Sequence, residues 1–223
     1  MYSRCLPFAR DARMHARIPN YKDTNCLRYN NTFSRFFYAK ITHTMTPSNK
    51  TSVRQRVRAA IATLDSAAKA EASTRIVEQL TALKPLCEAK VVALFSSLAD
   101  EPQTTQLVER LCRAKIRVVM PRIEGAEMEF YDTLAGLESG AFGIMEPIAT
   151  TPIAPSEIDV MIVPGVAFTR EGSRCGRGKG FYDKYLSREG FRAYTIGICY
   201  SCQIVEELPT ELHDKIMNTV IHG

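Results

Sequence analysis

The segment DVMIVPG, Asp159 to Gly165, decides the fold. After one acid it runs Val160, Met161, Ile162 and Val163 without a polar residue, then breaks at Pro164 and Gly165. A strand with one face in water alternates apolar and polar residues, so an unbroken run of this kind suits a strand covered on both faces. VVALFSSL (91–98), IRVVMP (116–121), MEFYD (128–132) and TIGICY (195–200) are short runs that read as further strands.

Around these strands the apolar spacing changes from strand-like to helical. Val53, Val57, Ile61 and Leu64 predict a helix over 50–64, and Ile76, Val77, Leu80 and Leu83 predict one over 73–83 that Pro85 stops. Helices are also expected at about 104–114 and 180–186. Buried strands alternating with helices define an α/β fold, three layers with a mainly parallel sheet and helices on both faces, in which ligands bind beyond the carboxyl ends of the strands. The stretch 136–155 reads as a long connection without periodicity, and no repeat or second domain boundary interrupts the body.

Composition narrows the function classes. Apolar content of 45% and charged content of 24% are ordinary for a globular protein, and no apolar run approaches the roughly 18 residues of a membrane span, so a soluble chain with no membrane partner is expected. The formal charge of +5 sits at the front: residues 1–44 hold eight Lys/Arg against two Asp, and residues 45–223 hold 21 Lys/Arg against 22 Asp/Glu. A body without basic excess argues against nucleic acid as a partner. The segment 1–44 reads as a basic extension outside the functional unit, with a start at Met45 as one reading and a mitochondrial transit peptide as the other. Residues 45–223 then form a single domain, expected as a cytoplasmic monomer, or a mitochondrial one if the extension targets it. Seven cysteines, an odd number, fit a reducing compartment rather than a disulfide framework. Cys199 and Cys202 lack the second pair that a structural zinc would need.

Past the deciding strand lies RCGRGKG, Arg174 to Gly180, with three cations and three glycines in seven residues. Gly176, Gly178 and Gly180 let the backbone approach a ligand, Arg174, Arg177 and Lys179 supply positive charge, and a helix begins at once, which together describe a phosphate cradle. It is not a P-loop, which would require Gly at 173 and Ser or Thr at 180 where the chain has Ser173 and Gly180. A solvated basic turn is the plain alternative.

The wider stretch PGVAFTREGSRCGRGKGFYDKYL (164–186) resembles the signature of the 5-formyltetrahydrofolate cyclo-ligase family, also called methenyltetrahydrofolate synthetases, with Cys175 standing where that family usually has Leu. KTSVR (50–54), FSSLADEPQT (95–104) and HDKIMNTV (213–220) follow the family's order, so the resemblance spans about 48–220. It implies ATP- and Mg²⁺-dependent closure of 5-formyltetrahydrofolate to 5,10-methenyltetrahydrofolate, with release of ADP and phosphate. It also implies roles for residues. Arg177 and Lys179 would stabilise the transferring phosphoryl group; as predicted loop residues, their loss should affect folding little. Lys50, Arg54, Arg174, Gly176, Gly178, Gly180 and Tyr182 would join them around ATP. Ser96, Glu101 and Phe181 would contact the folate, and Asp183 and Asp214 would hold the metal. Family members often carry an acid four residues after 214, where this chain has Asn218. A relative of the same fold that binds a nucleotide or RNA without catalysis is the alternative, opposed by the neutral body and by the joint presence of Glu101, Asp183 and Asp214.

Overall fold

Val160 and Ile162 pack into one hydrophobic cluster while Met161 and Val163 pack into another, so the strand is covered on both faces, as its unbroken apolar run requires. The structure, a computed structural model, describes residues 49–140 and 144–223. The expected extension 1–44 lies outside the described residues.

Helix α1 (Lys50–Ala62) and helix α2 (Ser66–Thr81) open the described chain, followed by the short helix α3 (Lys84–Glu88) and strand β1 (Val91–Ala93). Next come α4 (Thr105–Arg113), β2 (Arg117–Glu124), β3 (Glu127–Asp132), β4 (Leu137–Ser139) and β5 (Met145–Pro147). The last third holds β6 (Val160–Pro164), β7 (Ala167–Phe168), β8 (Arg174–Cys175), α5 (Phe181–Leu186), β9 (Tyr194–Cys199) and β10 (Thr219–His222). The main sheet runs β10-β9-β6-β1-β2-β3, with every neighbouring pair parallel except the β2–β3 hairpin. This is the mostly parallel α/β sheet expected from the strand pattern.

Both faces of the sheet are filled by the period-two alternation of its strands. Val92, Val118, Val160, Ile196 and Ile221 meet Ile76, Leu80, Leu86 and Leu107 of α2, α3 and α4 on one side. Ala93, Val119, Met161 and Val163 meet Tyr185 and Leu186 of α5, with Phe130 and Phe168, on the other. Helix α1 covers a third cluster, its Val53, Val57 and Ile61 packing near β7 and Tyr200.

Four boundaries differ from the periodic reading. Helix α2 begins seven residues earlier than Ser73 because Asp65 caps it, accepting from the Ala68 amide at 2.7 Å, and the alanine-rich first turns need no large apolar residue to form. Pro85 opens α3 instead of merely ending α2, since proline fits the first turn of a helix. Strand β1 covers only 91–93, and the chain to Glu101 turns into a loop that carries polar side chains. Within 136–155, β4 and β5 pair as a small antiparallel hairpin, and it is too short for its pattern to register.

β10 is a further element the sequence reading lacks. It runs parallel to β9, yet the connection between them contains only the 3-10 turn Ser201–Gln203 and no crossover helix. Asn218 aligns the pair: its Oδ1 accepts from the Thr195 amide at 2.8 Å and the Thr195 hydroxyl at 2.9 Å, and its own amide donates back to that hydroxyl.

Candidate active site

Strand β6 ends at Pro164, and the chain turns through Gly165 into the hairpin β7–β8, where Ala167 faces Cys175 and Phe168 faces Arg174. Gly172 closes this hairpin at φ +98, with its missing Cβ position only 2.2 Å from the Met217 carbonyl oxygen, so no other residue fits there. The hairpin thus delivers Arg174–Gly180 to the carboxyl ends of β1 and β6. Gly178 (φ +105) and Gly180 (φ +73) bend the loop into α5, and Gly180 caps that helix.

Each expected site residue has a definite place. Arg54 on α1 donates through Nε to the Gly176 carbonyl at 2.8 Å, and its guanidinium lies against the open side of Gly178, so α1 braces the glycine loop directly. Four residues earlier on the same helix, Lys50 Nζ contacts both oxygens of Asp214 at 2.8 Å and Glu211 at 3.0 Å. Burial pulls the Lys50 pKa down, but the hydrogen bonds from these two carboxylates outweigh it and leave the group above its ordinary value. Desolvation likewise works against ionised Asp214, and the hydrogen bonds from Lys50 and the Glu211 amide overcome it, holding the carboxyl below the usual range.

Arg174 is nearly buried. Its Nη2 donates to Asp183 at 2.8 Å and Nη1 to the Pro164 carbonyl at 3.3 Å, while Nε is buried without a partner. Asp183 also accepts from the Lys215 amide at 3.3 Å, which brings the two expected metal ligands together through the backbone beside Asp214. A cleft of about 280 Å³ lies here, lined by Ser173, Arg174, Thr210, Glu211, Asp214 and Lys215.

Mg²⁺ takes hard oxygen donors and keeps several waters. Asp214 and Glu211, from the segment before β10, line this cleft, and Asp183 of α5 is bonded to two of its lining residues, Arg174 and Lys215. Among the described residues no group of three or more His, Cys, Asp or Glu could hold a metal unaided. Each of the two expected metal ligands is ion-paired, Asp183 with Arg174 and Asp214 with Lys50, so a magnesium ion held by them would have to draw its remaining ligands from phosphate oxygens and water. Asn218 takes no part, because its oxygen is spent on Thr195.

Arg177 reaches across to the loop after β1. Its Nε and Nη2 donate to Glu101 Oε1 at 3.1 and 2.9 Å, and Nη2 also donates to Asp100 Oδ1 at 2.5 Å. Glu101 is 6% exposed and its other oxygen accepts from the Leu98 amide at 3.0 Å. Asp100 and Glu211 belong to this constellation but were not among the expected site residues. The adjacent acids in LADEP were the available signal for Asp100. Lys179 is exposed and, of the three loop cations, has no carboxylate partner among the described residues.

The expected folate contacts are more dispersed. Ser96 stands apart from the charged cluster, where its hydroxyl accepts from the Met145 amide of β5 at 3.1 Å. Phe181 and Tyr182 are half-buried and pack against the sheet core, and the Arg174 guanidinium lies 5.6 Å from the Tyr182 ring centre. Cys199 is fully buried and burial pushes its thiol far above the ordinary range, so it is a core residue. No helix among the described residues is long and apolar enough to cross a membrane.

A mostly parallel sheet covered on both faces, with a glycine loop beyond its strand ends, is the frame of an α/β enzyme. The model of the 5-formyltetrahydrofolate cyclo-ligase family matches residues 46–223, and the chain belongs to that family. The 5-formyltetrahydrofolate cyclo-ligase of Escherichia coli strain K12 is 33% identical over 177 residues, which are 76% of this chain and 95% of that protein. The corresponding protein of Haemophilus influenzae is 28% identical over 187 residues, 80% of this chain and all of its own length. Among solved structures, the 5,10-methenyltetrahydrofolate synthetase of Aquifex aeolicus superposes with a TM-score of 0.70 at 32% identity, covering 78% of this chain and 89% of that one.

Proposed function

We propose that this protein converts 5-formyltetrahydrofolate to 5,10-methenyltetrahydrofolate at the expense of ATP. A formamide carbonyl is a poor electrophile and its oxygen a poor leaving group. Transfer of the γ-phosphoryl group to that oxygen answers both problems: N10 then bonds to the formyl carbon, the carbon–oxygen bond breaks to release phosphate, and N10 gives up its proton. The protein's task is positioning and charge neutralisation, since no covalent attachment to the chain is required.

The observation that carries this reading is the Arg177 bridge, which joins the glycine loop suited to phosphate with the Glu101 loop suited to the pterin. Lys179 and Arg177 face developing phosphoryl charge, Arg54 braces the loop, and Glu101 is a carboxylate that can accept from pterin N–H groups. Asp183 and Asp214 would hold Mg²⁺, which supplies charge neutralisation at the phosphates. All these residues come from one chain, so a monomer suffices, and the described cysteines are free thiols, as a reducing compartment such as the cytoplasm allows.

The test is incubation of purified protein with 5-formyltetrahydrofolate, ATP and Mg²⁺, following the methenyl product by near-ultraviolet absorbance. Product is expected only when all three are present. Turnover without ATP, or none with folded protein under any condition, would reject the assignment.

A further inference from the structure

We infer that Asp100 is a positioning residue that sets the orientation of the Arg177 guanidinium for phosphoryl transfer, an inference that rests on the cyclo-ligase reading. A guanidinium carries five N–H donors in a rigid fork. In Arg177 the Nε–H and the Nη2 edge are committed to Glu101 and Asp100, and Nη1 has no partner among the described residues. Glu101 alone meets Nε and Nη2 with a single oxygen, because its other oxygen is bound to the Leu98 amide. One oxygen leaves the plane of the fork free to swing, and Asp100 on Nη2 supplies the second anchor.

The anchor itself is fixed by sequence-local bonds. Ser97 donates to the Pro102 carbonyl at 2.8 Å and accepts from the Thr104 amide at 3.2 Å, so the turn holding both acids is tied at its base. Desolvation opposes ionised Asp100, but the hydrogen bond from Arg177 outweighs it and keeps the carboxyl below its ordinary range. Asp100 is 37% exposed on its side chain against 8% for Glu101, so it contributes orientation more than core packing. Preorganised donors act on the transition state without reorganising, so the loss of Asp100 falls on kcat.

The experiment compares wild type, Asp100→Asn, Asp100→Glu, Arg177→Ala and the double variant Asp100→Asn/Arg177→Ala. Asp100→Asn is expected to lower kcat about tenfold with KM for ATP changed less than threefold, and Asp100→Glu to restore most of it. In the Arg177→Ala background Asp100→Asn should change nothing further. A readout independent of turnover is the side-chain Nε–H resonance of Arg177, assigned by its loss in Arg177→Ala. It should be sharp in wild type, broadened in Asp100→Asn and recovered in Asp100→Glu.

An unchanged resonance and unchanged kcat in Asp100→Asn would overturn the inference, as would a rise in kcat, which would make the clasp inhibitory. An equal loss in both Arg177 backgrounds would also overturn it. If wild type gave no methenyl product, the cyclo-ligase reading would fail, and the resonance would still decide whether Asp100 orients Arg177.

Discussion

Arg177 and Lys179 look alike in the sequence and differ in the structure. Lys179 is exposed and has no carboxylate partner among the described residues, so Lys179→Ala should lower kcat by about 10² or more while leaving the thermal midpoint in place. Arg177→Ala should cost kcat similarly and also lower the midpoint by several degrees, because nearly buried Glu101 loses its cation at a cost of about 1–3 kcal/mol. The sequence expectation for both variants is that folding is little affected, so the melt of Arg177→Ala decides whether the pair with Glu101 matters for stability. Assay at saturating ATP alongside a thermal melt checks both; a stable, inactive Arg177→Ala would mean Glu101 finds another partner. The residue types of the site were legible because glycines, cations and acids recur in a family order. Their pairing was not, since Lys50 with Asp214 and Arg177 with Asp100 join segments whose proximity only the fold creates.

Among the elements, β6, β9 and the β7–β8 hairpin meet around one ring. Phe168 is fully buried, and a Cβ at Gly197 of β9 would lie 2.4 Å from its Cε1, with one at Gly165 2.6 Å from its Cζ. The strands could be read from apolar runs, but the glycines TIGIC and PGVAF gave no sign that they flank the same aromatic ring. Gly197→Ala should destabilise the protein by about 1–3 kcal/mol through overpacking, and Phe168→Leu in the same chain should recover part of it. Denaturant titration of wild type and the two variants checks this; a neutral Gly197→Ala would show that the ring has room to move. β10 escaped the sequence reading for a related reason, because Thr219–His222 is four residues long and only its bonds through Asn218 and β9 make it a strand. The β2–β3 hairpin, in contrast, was readable at both strands, although the antiparallel pairing at the sheet edge was not.

At the scale of the whole molecule, all matched motifs and all described contacts of the site lie at or after Lys50. A chain beginning at Met45 is expected to keep the thermal midpoint and kcat/KM of the full chain at moderate salt. At low salt the net positive charge of residues 1–44 would raise kcat/KM for the anionic folate in the full chain alone. Loss of activity on truncation at both salt concentrations would place part of the site in the extension. The charged contacts of the site have one further property: Lys50 and Asp214 are 164 residues apart in sequence, Arg54 and Gly176 122, and Arg177 and Glu101 76. Such distant pairs repay the entropy of loop closure only when the sheet between them is complete, so the candidate site is expected to assemble last. Lys50→Met should therefore steepen the loss of the native state, raising the unfolding rate in a chevron while the folding limb stays where it was. A slower folding limb would instead put the site in the folding nucleus. With late assembly, the barrier that keeps the protein folded and the geometry that makes it active depend on the same few ion pairs, and a change that loosens one shortens the lifetime of the other.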